Sequence, residues 1–243
     1  MSLRWVDRCE STQDALRQEP SSISALATLN QTKGRGRRGR AWISPPESSL
    51  ALSWRAPVAQ LNIEDLPLVS LAAGVGLFRW VEAQTQESLK LDRLHLKWPN
   101  DLLFEKRKLA GILCEAAILA SGRQEVIVGV GLNLTQHKLL PSQSASLDEL
   151  CGPYHLHKKR LRKEVVPQLV SSLGRSVLCL VNHRRALLDE WRERSLPLGT
   201  ELTTAGRVGR YRGITDGGAL RLDIAGRVLT VESGEVALVG ELT

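Results

Sequence analysis

From Ser49 to Arg55 the chain alternates, with Leu50, Leu52 and Trp54 on one side and Ala51 and Ser53 on the other, which is the period-two pattern of a β-strand. Between Ile63 and Gln84 the spacing changes: Leu66, Val69, Ala73, Leu77, Trp80 and Val81 recur every three or four residues and predict a long amphipathic helix with a face broad enough to cover a sheet. Shorter strands are predicted at 3–8, 24–30, 95–98, 109–119 and 125–134, and either hydroxyl of Ser11-Thr12 suits the cap of a short helix containing Ala15 and Leu16.

Ser146-Leu147-Asp148-Glu149 has capping-box spacing and predicts a short helix ended by Gly152-Pro153. A longer helical pattern runs from Leu161 to Val181, with Pro167 expected to kink or break it, and another helix spans 186–194. The texture then becomes glycine-punctuated short strands at 200–204, 208–215, 219–224, 228–231 and 236–238. These predict a small β-barrel, with Ser195-Leu196-Pro197 as the boundary between domains at 1–195 and 196–243. Strands and helices mix without a strict βαβ rhythm, so the fold class is α+β with a mixed sheet.

Composition narrows the function classes. At 42% hydrophobic and 24% charged residues the chain is neither disordered nor fibrous. The formal net charge of +7 favours anionic partners, among them phosphates, nucleic acid and acidic proteins. The longest apolar stretch, Val69 to Phe78, is shorter than the roughly 18 residues of a membrane span, and the amino end lacks the pattern of a signal peptide. Cys9, Cys114, Cys151 and Cys179 are scattered, which suits reduced thiols in a cytoplasm, and His155 and His157 have no third metal ligand nearby.

Three segments carry chemistry. Residues 33–40 combine three glycines with four arginines and a lysine, so the segment is a loop suited equally to a polyphosphate or to nucleic acid. Lys97-Trp98-Pro99-Asn100-Asp101 puts a cation, an amide and a carboxylate on one turn, with Lys108 opening the next strand. That carboxylate has little use in a nucleic-acid groove and favours a nucleotide with bridging magnesium. Gly129 and Gly131 alternate along a strand, baring one face for a flat ligand, and Asn133 stands at its end.

Ser11-Thr12, Gln31 to Trp42, Lys97 to Asp101, Lys108 to Leu113 and Gly129 to Asn133 occur in an order and spacing that closely resembles the biotin–protein ligases, also called biotin–[acetyl-CoA-carboxylase] ligases. The resemblance covers effectively the whole chain. It implies a mixed-sheet catalytic domain of the biotin/lipoate ligase type with an SH3-like barrel, and two steps. Biotin and MgATP give biotinyl-5′-AMP; a carrier-domain lysine then displaces AMP. It also implies site roles. Lys108 and Arg37 are the catalytic pair. Ser11, Thr12, Gln13, Gln31, Gly34, Arg35, Gly36 and Gly111 join them around biotin. Arg38, Arg40, Trp42, Lys97, Asn100 and Asn133 join Arg37 around ATP, with Asp101 on magnesium. The implied partner is the biotin carboxyl carrier domain of acetyl-CoA carboxylase or a related carboxylase; monomer and homodimer both stay open.

Only ten residues precede Ser11, which leaves no room for the winged helix of the bifunctional members, so direct DNA binding is not expected. The basic run Lys158 to Lys163 reads as a solvated helix face, with docking of an acidic carrier domain as the other reading. The rivals are a lipoate–protein ligase, whose Arg-Arg-x-x-Gly-Gly-Gly signature is absent, and a basic nucleic-acid-binding module.

Overall fold

The computed structural model describes residues 2–58, 65–85, 88–118, 124–152 and 158–240. The predicted helix start at Ile63, the strand end at Leu119, Pro153 and the His155/His157 pair lie outside these residues.

A seven-stranded sheet forms the centre, in the order β1 (Leu3–Trp5), β2 (Ala25–Thr28), β5 (Ser49–Ala56), β9 (Gln124–Asn133), β8 (Arg107–Ile118), β7 (Asp101–Phe104) and β6 (Leu94–Lys97). Strands β1 and β2 run parallel and every other pair is antiparallel, so the sheet is mixed as expected. A two-stranded ribbon, β3 (Gly34–Arg35) and β4 (Ala41–Trp42), carries the Gly-Arg loop between its strands.

The two faces of the sheet have different jobs. Leu50, Leu52, Trp54, Val126, Val128, Val130, Ala110 and Ile112 belong to the main core, together with residues of α2 (Leu66–Gln84), α5 (Val166–Asn182) and α6 (Arg184–Glu193). Helices α2 and α5 meet closely at Gly76, where a Cβ would stand 2.8 Å from Leu173 Cα; Ser172 donates its hydroxyl to the Gly76 carbonyl at 2.8 Å. Both apolar helical runs, Leu66–Gln84 and Leu161–Asn182, are long enough to cross a bilayer by length and composition, yet they are 67% and 50% buried in this fold and serve as core helices. The opposite face carries α1 (Thr12–Gln18), whose Leu16 packs with Leu26 and Ile127, and the Gly-Arg ribbon.

Ser146 and Glu149 form the predicted capping box on α3 (Leu147–Cys151). After α4 (Lys158–Arg160), Pro167 marks an altered helix: a π-turn over Leu161–Val165 runs into α5, because proline has no N–H for the preceding turn. Phe104 and its neighbours form β7, a strand the sequence reading missed because Asp101–Phe104 is short and apolar without alternation.

The C-terminal strands β10 (Glu201–Thr204), β11 (Arg207–Ile214), β12 (Leu220–Ile224), β13 (Arg227–Val231) and β14 (Ala237–Leu238) fall within a residue of their expected bounds. They form one antiparallel sheet ordered β13-β12-β11-β10-β14, which fits an SH3-like domain; among the described residues no hydrogen bonds close it into a barrel. Leu202, Tyr211, Ile214, Leu220 and Leu222 join the main core, so the sheet is packed against the rest of the chain. The boundary segment is itself engaged, since Leu196 N–H donates to the Leu96 carbonyl at 3.1 Å.

Candidate active site

Register across the sheet builds the floor of the site. One row runs Ala51, Gly131, Gly111 and Asp101; the next runs Ser53, Gly129 and Leu113. Three glycines thus leave a shallow trough on the face opposite the main core. Above it lies a cavity of about 350 Å³. Two side chains use the space the glycines leave: a Cβ on Gly131 would meet the Trp42 ring at 2.3 Å, and a Cβ on Gly129 would meet Gln13 Nε2 at 2.7 Å.

Helix α1 brings Ser11, Thr12 and Gln13 to one end. Ser11 does cap the helix, accepting from Asp14 N–H at 3.4 Å, and it also lines the cavity. Arg55 fixes the far end of α1, donating to the carbonyls of Leu16 (2.6 Å), Glu19 (2.9 Å) and Ile23 (3.1 Å) while paired with Glu125. Gln31 accepts from Thr12 N–H at 2.8 Å, and Gln13 Nε2 donates to the Leu113 carbonyl at 2.9 Å.

Cations gather at the other end. Asp101, nearly buried, sits between Lys108 (2.7 Å) and Lys97 (3.3 Å). Burial alone would raise its pKa, but the two ammonium groups outweigh that and hold the carboxyl below its ordinary range. Lys108 also stands 5.5 Å from the Trp42 ring centre. Arg37 is half-buried; burial presses its pKa down, yet a guanidinium stays charged.

The expected residues Ser11, Thr12, Gln13, Gln31, Arg35, Gly36, Arg37, Arg40, Trp42, Lys97, Asn100, Asp101, Lys108 and Gly111 all line the cavity. Three lie outside the lining. Gly34 sits behind the wall, where a Cβ would stand 2.5 Å from the Trp42 carbonyl oxygen. Arg38 is exposed, and its backbone is left-handed (φ 54°). Asn133 is buried and gives its amide N–H groups to the carbonyls of Lys108 (3.2 Å) and Ala145 (3.0 Å), so it braces the Lys108 backbone; its Oδ1 has no partner. Asn100 similarly donates to the Ile112 carbonyl at 2.7 Å.

Asp101 does not fit a resident magnesium. It is one carboxylate already matched by two cations, and among the described residues no group of three or more His, Cys, Asp or Glu side chains could hold a metal. A magnesium ion at this site would come with the phosphates of its nucleotide, as part of the substrate.

Sequence reasoning missed the contribution of the C-terminal sheet. Glu235, Val236 and Ala237 line the cavity; Arg40 pairs with Glu235 at 2.7 Å and Arg37 donates to the Gly234 carbonyl at 2.9 Å. Trp98, read as core packing, also donates its indole N–H to the Gly218 carbonyl at 3.0 Å, tying the Lys97–Asp101 turn to the same sheet. Nothing in the residue types at 234–237 signals this.

The profile of the Biotin/lipoate A/B protein ligase family matches residues 5–133. A biotin–[acetyl-CoA-carboxylase] ligase of Mycobacterium tuberculosis is 33% identical over 219 residues, 87% of this chain and 77% of that protein. A bifunctional ligase/repressor of Escherichia coli is 36% identical over 126 residues, 50% of this chain and 36% of that protein. A biotin protein ligase from Aquifex aeolicus, solved with biotin and ATP, superposes with a TM-score of 0.78 at 28% identity and 98% coverage of both chains. With the glycine trough, the Gly-Arg ribbon and the lysine-flanked carboxylate all inside the matched segment, the chain belongs to the biotin/lipoate A/B protein ligase family.

Proposed function

We propose that the chain joins biotin to ATP, forming biotinyl-5′-AMP and releasing pyrophosphate, and then passes the biotinyl group to a carrier-domain lysine, releasing AMP. The observation that carries this reading is the polarity of the trough. Hydrogen-bonding groups from Thr12 and Gln31 lie at one end, an uncharged glycine floor in the middle, and Lys97, Lys108 and Arg37 at the other. A ligand with a polar ring, an apolar body and a carboxylate tail matches that order.

A biotin carboxylate, with a pKa of about 4.3 as for an ordinary carboxyl group, is ionised at neutral pH and attacks without a general base. The obstacle is an anion approaching a polyanion. Lys108 and Arg37 offset that repulsion and hold the carboxylate against the α-phosphorus, while Lys97 and Arg40 face the remaining phosphates. Asp101 keeps the two lysines in place. The Trp42 ring, which lines the cavity, offers the base a stacking surface.

In the second step the acceptor lysine must arrive uncharged at the mixed anhydride. Relatives named as acetyl-CoA-carboxylase ligases support a carboxylase carrier domain as the protein substrate. The four cysteines, all free thiols, suit a reducing cytoplasm. Incubating the chain with biotin, MgATP and a carboxylase carrier domain should add the mass of one biotin to the carrier. Modification by lipoate and not biotin would replace this reading with the lipoate ligase one.

A further inference from the structure

Ser53 has no exposed surface and does not line the cavity, yet it stands on the second row of the trough beside Gly129. Its hydroxyl donates to Thr12 Oγ1 at 2.8 Å. Thr12 then donates to Gln31 Oε1 at 3.1 Å, and the Thr12 backbone N–H donates to the same oxygen at 2.8 Å. A backbone N–H has no acceptor capacity, so the Gln31 atom facing Thr12 is its oxygen and the amide NH₂ is turned away, toward Gly34.

The chain of hydroxyls has one direction. Because Ser53 occupies one lone pair of Thr12 Oγ1, the Thr12 proton is committed to Gln31 and only a lone pair remains for a ligand. This end of the trough therefore offers an acceptor at Thr12. A ring N–H of a cyclic urea is the complementary group. Without the Ser53 hydroxyl, the Thr12 hydroxyl is free to rotate and donate, and the fixed polarity is lost.

We propose that Ser53 is a positioning residue that sets the hydrogen-bond polarity of the ligand-ring end through Thr12, holding an acceptor toward a ring N–H of the ligand. The proposal rests on the biotin reading above. It assigns Ser53 no contact with the ligand.

Biotin-dependent exchange of labelled pyrophosphate into ATP tests it, using Ser53→Ala and Ser53→Cys with two ligands that share the urea ring: biotin and desthiobiotin, which lacks the sulfur. Ser53→Ala should raise KM for biotin and desthiobiotin about five- to tenfold, the size of one buried hydrogen bond, with kcat held within about twofold. The rise should be equal for the two ligands, since both carry the ring N–H. Ser53→Cys, with a weak donor, should fall between, and its KM order decides the matter if Ser53→Ala does not fold. An unchanged KM, a fall in kcat alone, or a KM rise for biotin but not for desthiobiotin would overturn the proposal while leaving the biotin reading intact. A wild-type chain with no biotin-dependent exchange would overturn that reading, and this proposal with it.

Discussion

Lys108 Nζ lies 2.7 Å from Asp101 Oδ1, and the lysine reaches over the glycine trough, its Cε 3.1 Å from where a Cβ on Gly111 would stand. The lysine comes from the first residues of β8 and the carboxylate from the start of β7, so antiparallel pairing of two adjacent strands sets the geometry. Charge and position therefore have one structural source.

Replacing Lys108 by alanine should lower biotin-dependent pyrophosphate exchange by about a hundredfold or more, the loss typical of removing a preorganised transition-state charge. Its stability cost should exceed that of an ordinary surface change, at about 1–2 kcal/mol, because nearly buried Asp101 keeps only Lys97 as a counter-charge. Adding Asp101→Asn to Lys108→Ala should recover most of that stability and none of the exchange. Urea denaturation beside the exchange assay separates the two effects; a double variant with restored exchange would remove Lys108 from the chemistry.

Arg37 has a second task that the sequence does not announce, since it also grips the Gly234 carbonyl at 2.9 Å. Arg37→Gly removes the cation proposed to face the phosphates and one of the ties between the Gly-Arg loop and the C-terminal sheet. The reactive adenylate should then escape at least about tenfold faster, while adenylation slows less. Promiscuous labelling of lysines on a bystander protein reports the escape. A variant that retains its adenylate and labels nothing would contradict the retention role.

Acid should loosen the segment behind Lys108 before it unfolds the core. Burial raises the Glu149 pKa, but Arg107, Gln136 and Ser146 outweigh that and pull it from 4.5 to about 2. A carboxyl with a lowered folded pKa contributes its full stability above about pH 4.5 and loses it progressively as pH falls toward 2. Glu149→Gln should flatten the fall of unfolding free energy between those pH values, read from chemical denaturation at each pH. A variant with the wild-type acid slope would show that Glu149 is not the responsible group.

The parts of this molecule that were legible in its sequence are those whose chemistry is local. The Gly-Arg loop, the lysine at the head of β8 and the alternate glycines of β9 announce themselves by residue type, and their strands keep their periods. Ser53 was hidden for a physical reason. In β5 the small polar side of the alternation reads as a solvent face, whereas Ala51 and Ser53 are both buried beneath α1 and the cavity. Asn133 was misplaced because an amide at a strand end suits a ligand and a backbone carbonyl equally well; only the fold shows that two carbonyls take its donors. The contribution of residues 234–237 depends on how a distant sheet packs, which no local pattern encodes.

Ligand binding should protect the Gly-Arg loop far more than the segment from Thr135 to Ala145, although both are polar. The loop is held by ion pairs of Lys33 with Glu10 (2.8 Å), Arg35 with Asp14 (2.5 Å) and Arg40 with Glu235 (2.7 Å). Their cationic side chains are 70%, 40% and 67% exposed, so each pair is worth only about 0–1 kcal/mol and weakens with salt. Five cations within eight residues also repel one another until a polyphosphate or adenylate arrives. The second segment has firmer backbone ties: Lys108 N–H donates to the Gln143 carbonyl at 2.7 Å and Ala145 N–H to the Lys108 carbonyl at 2.9 Å. Amide hydrogen exchange should therefore show the loop opening readily in the free chain, faster still at high salt, and strongly slowed in the biotinyl-AMP complex. Residues near 143–145 should be protected in both states. Because closing the loop costs free energy once, biotin bound first should tighten ATP binding, and ATP should tighten biotin binding by the same factor. Equal, strong protection of the loop with and without ligand, together with independent binding of the two substrates, would show a preformed site and overturn this account.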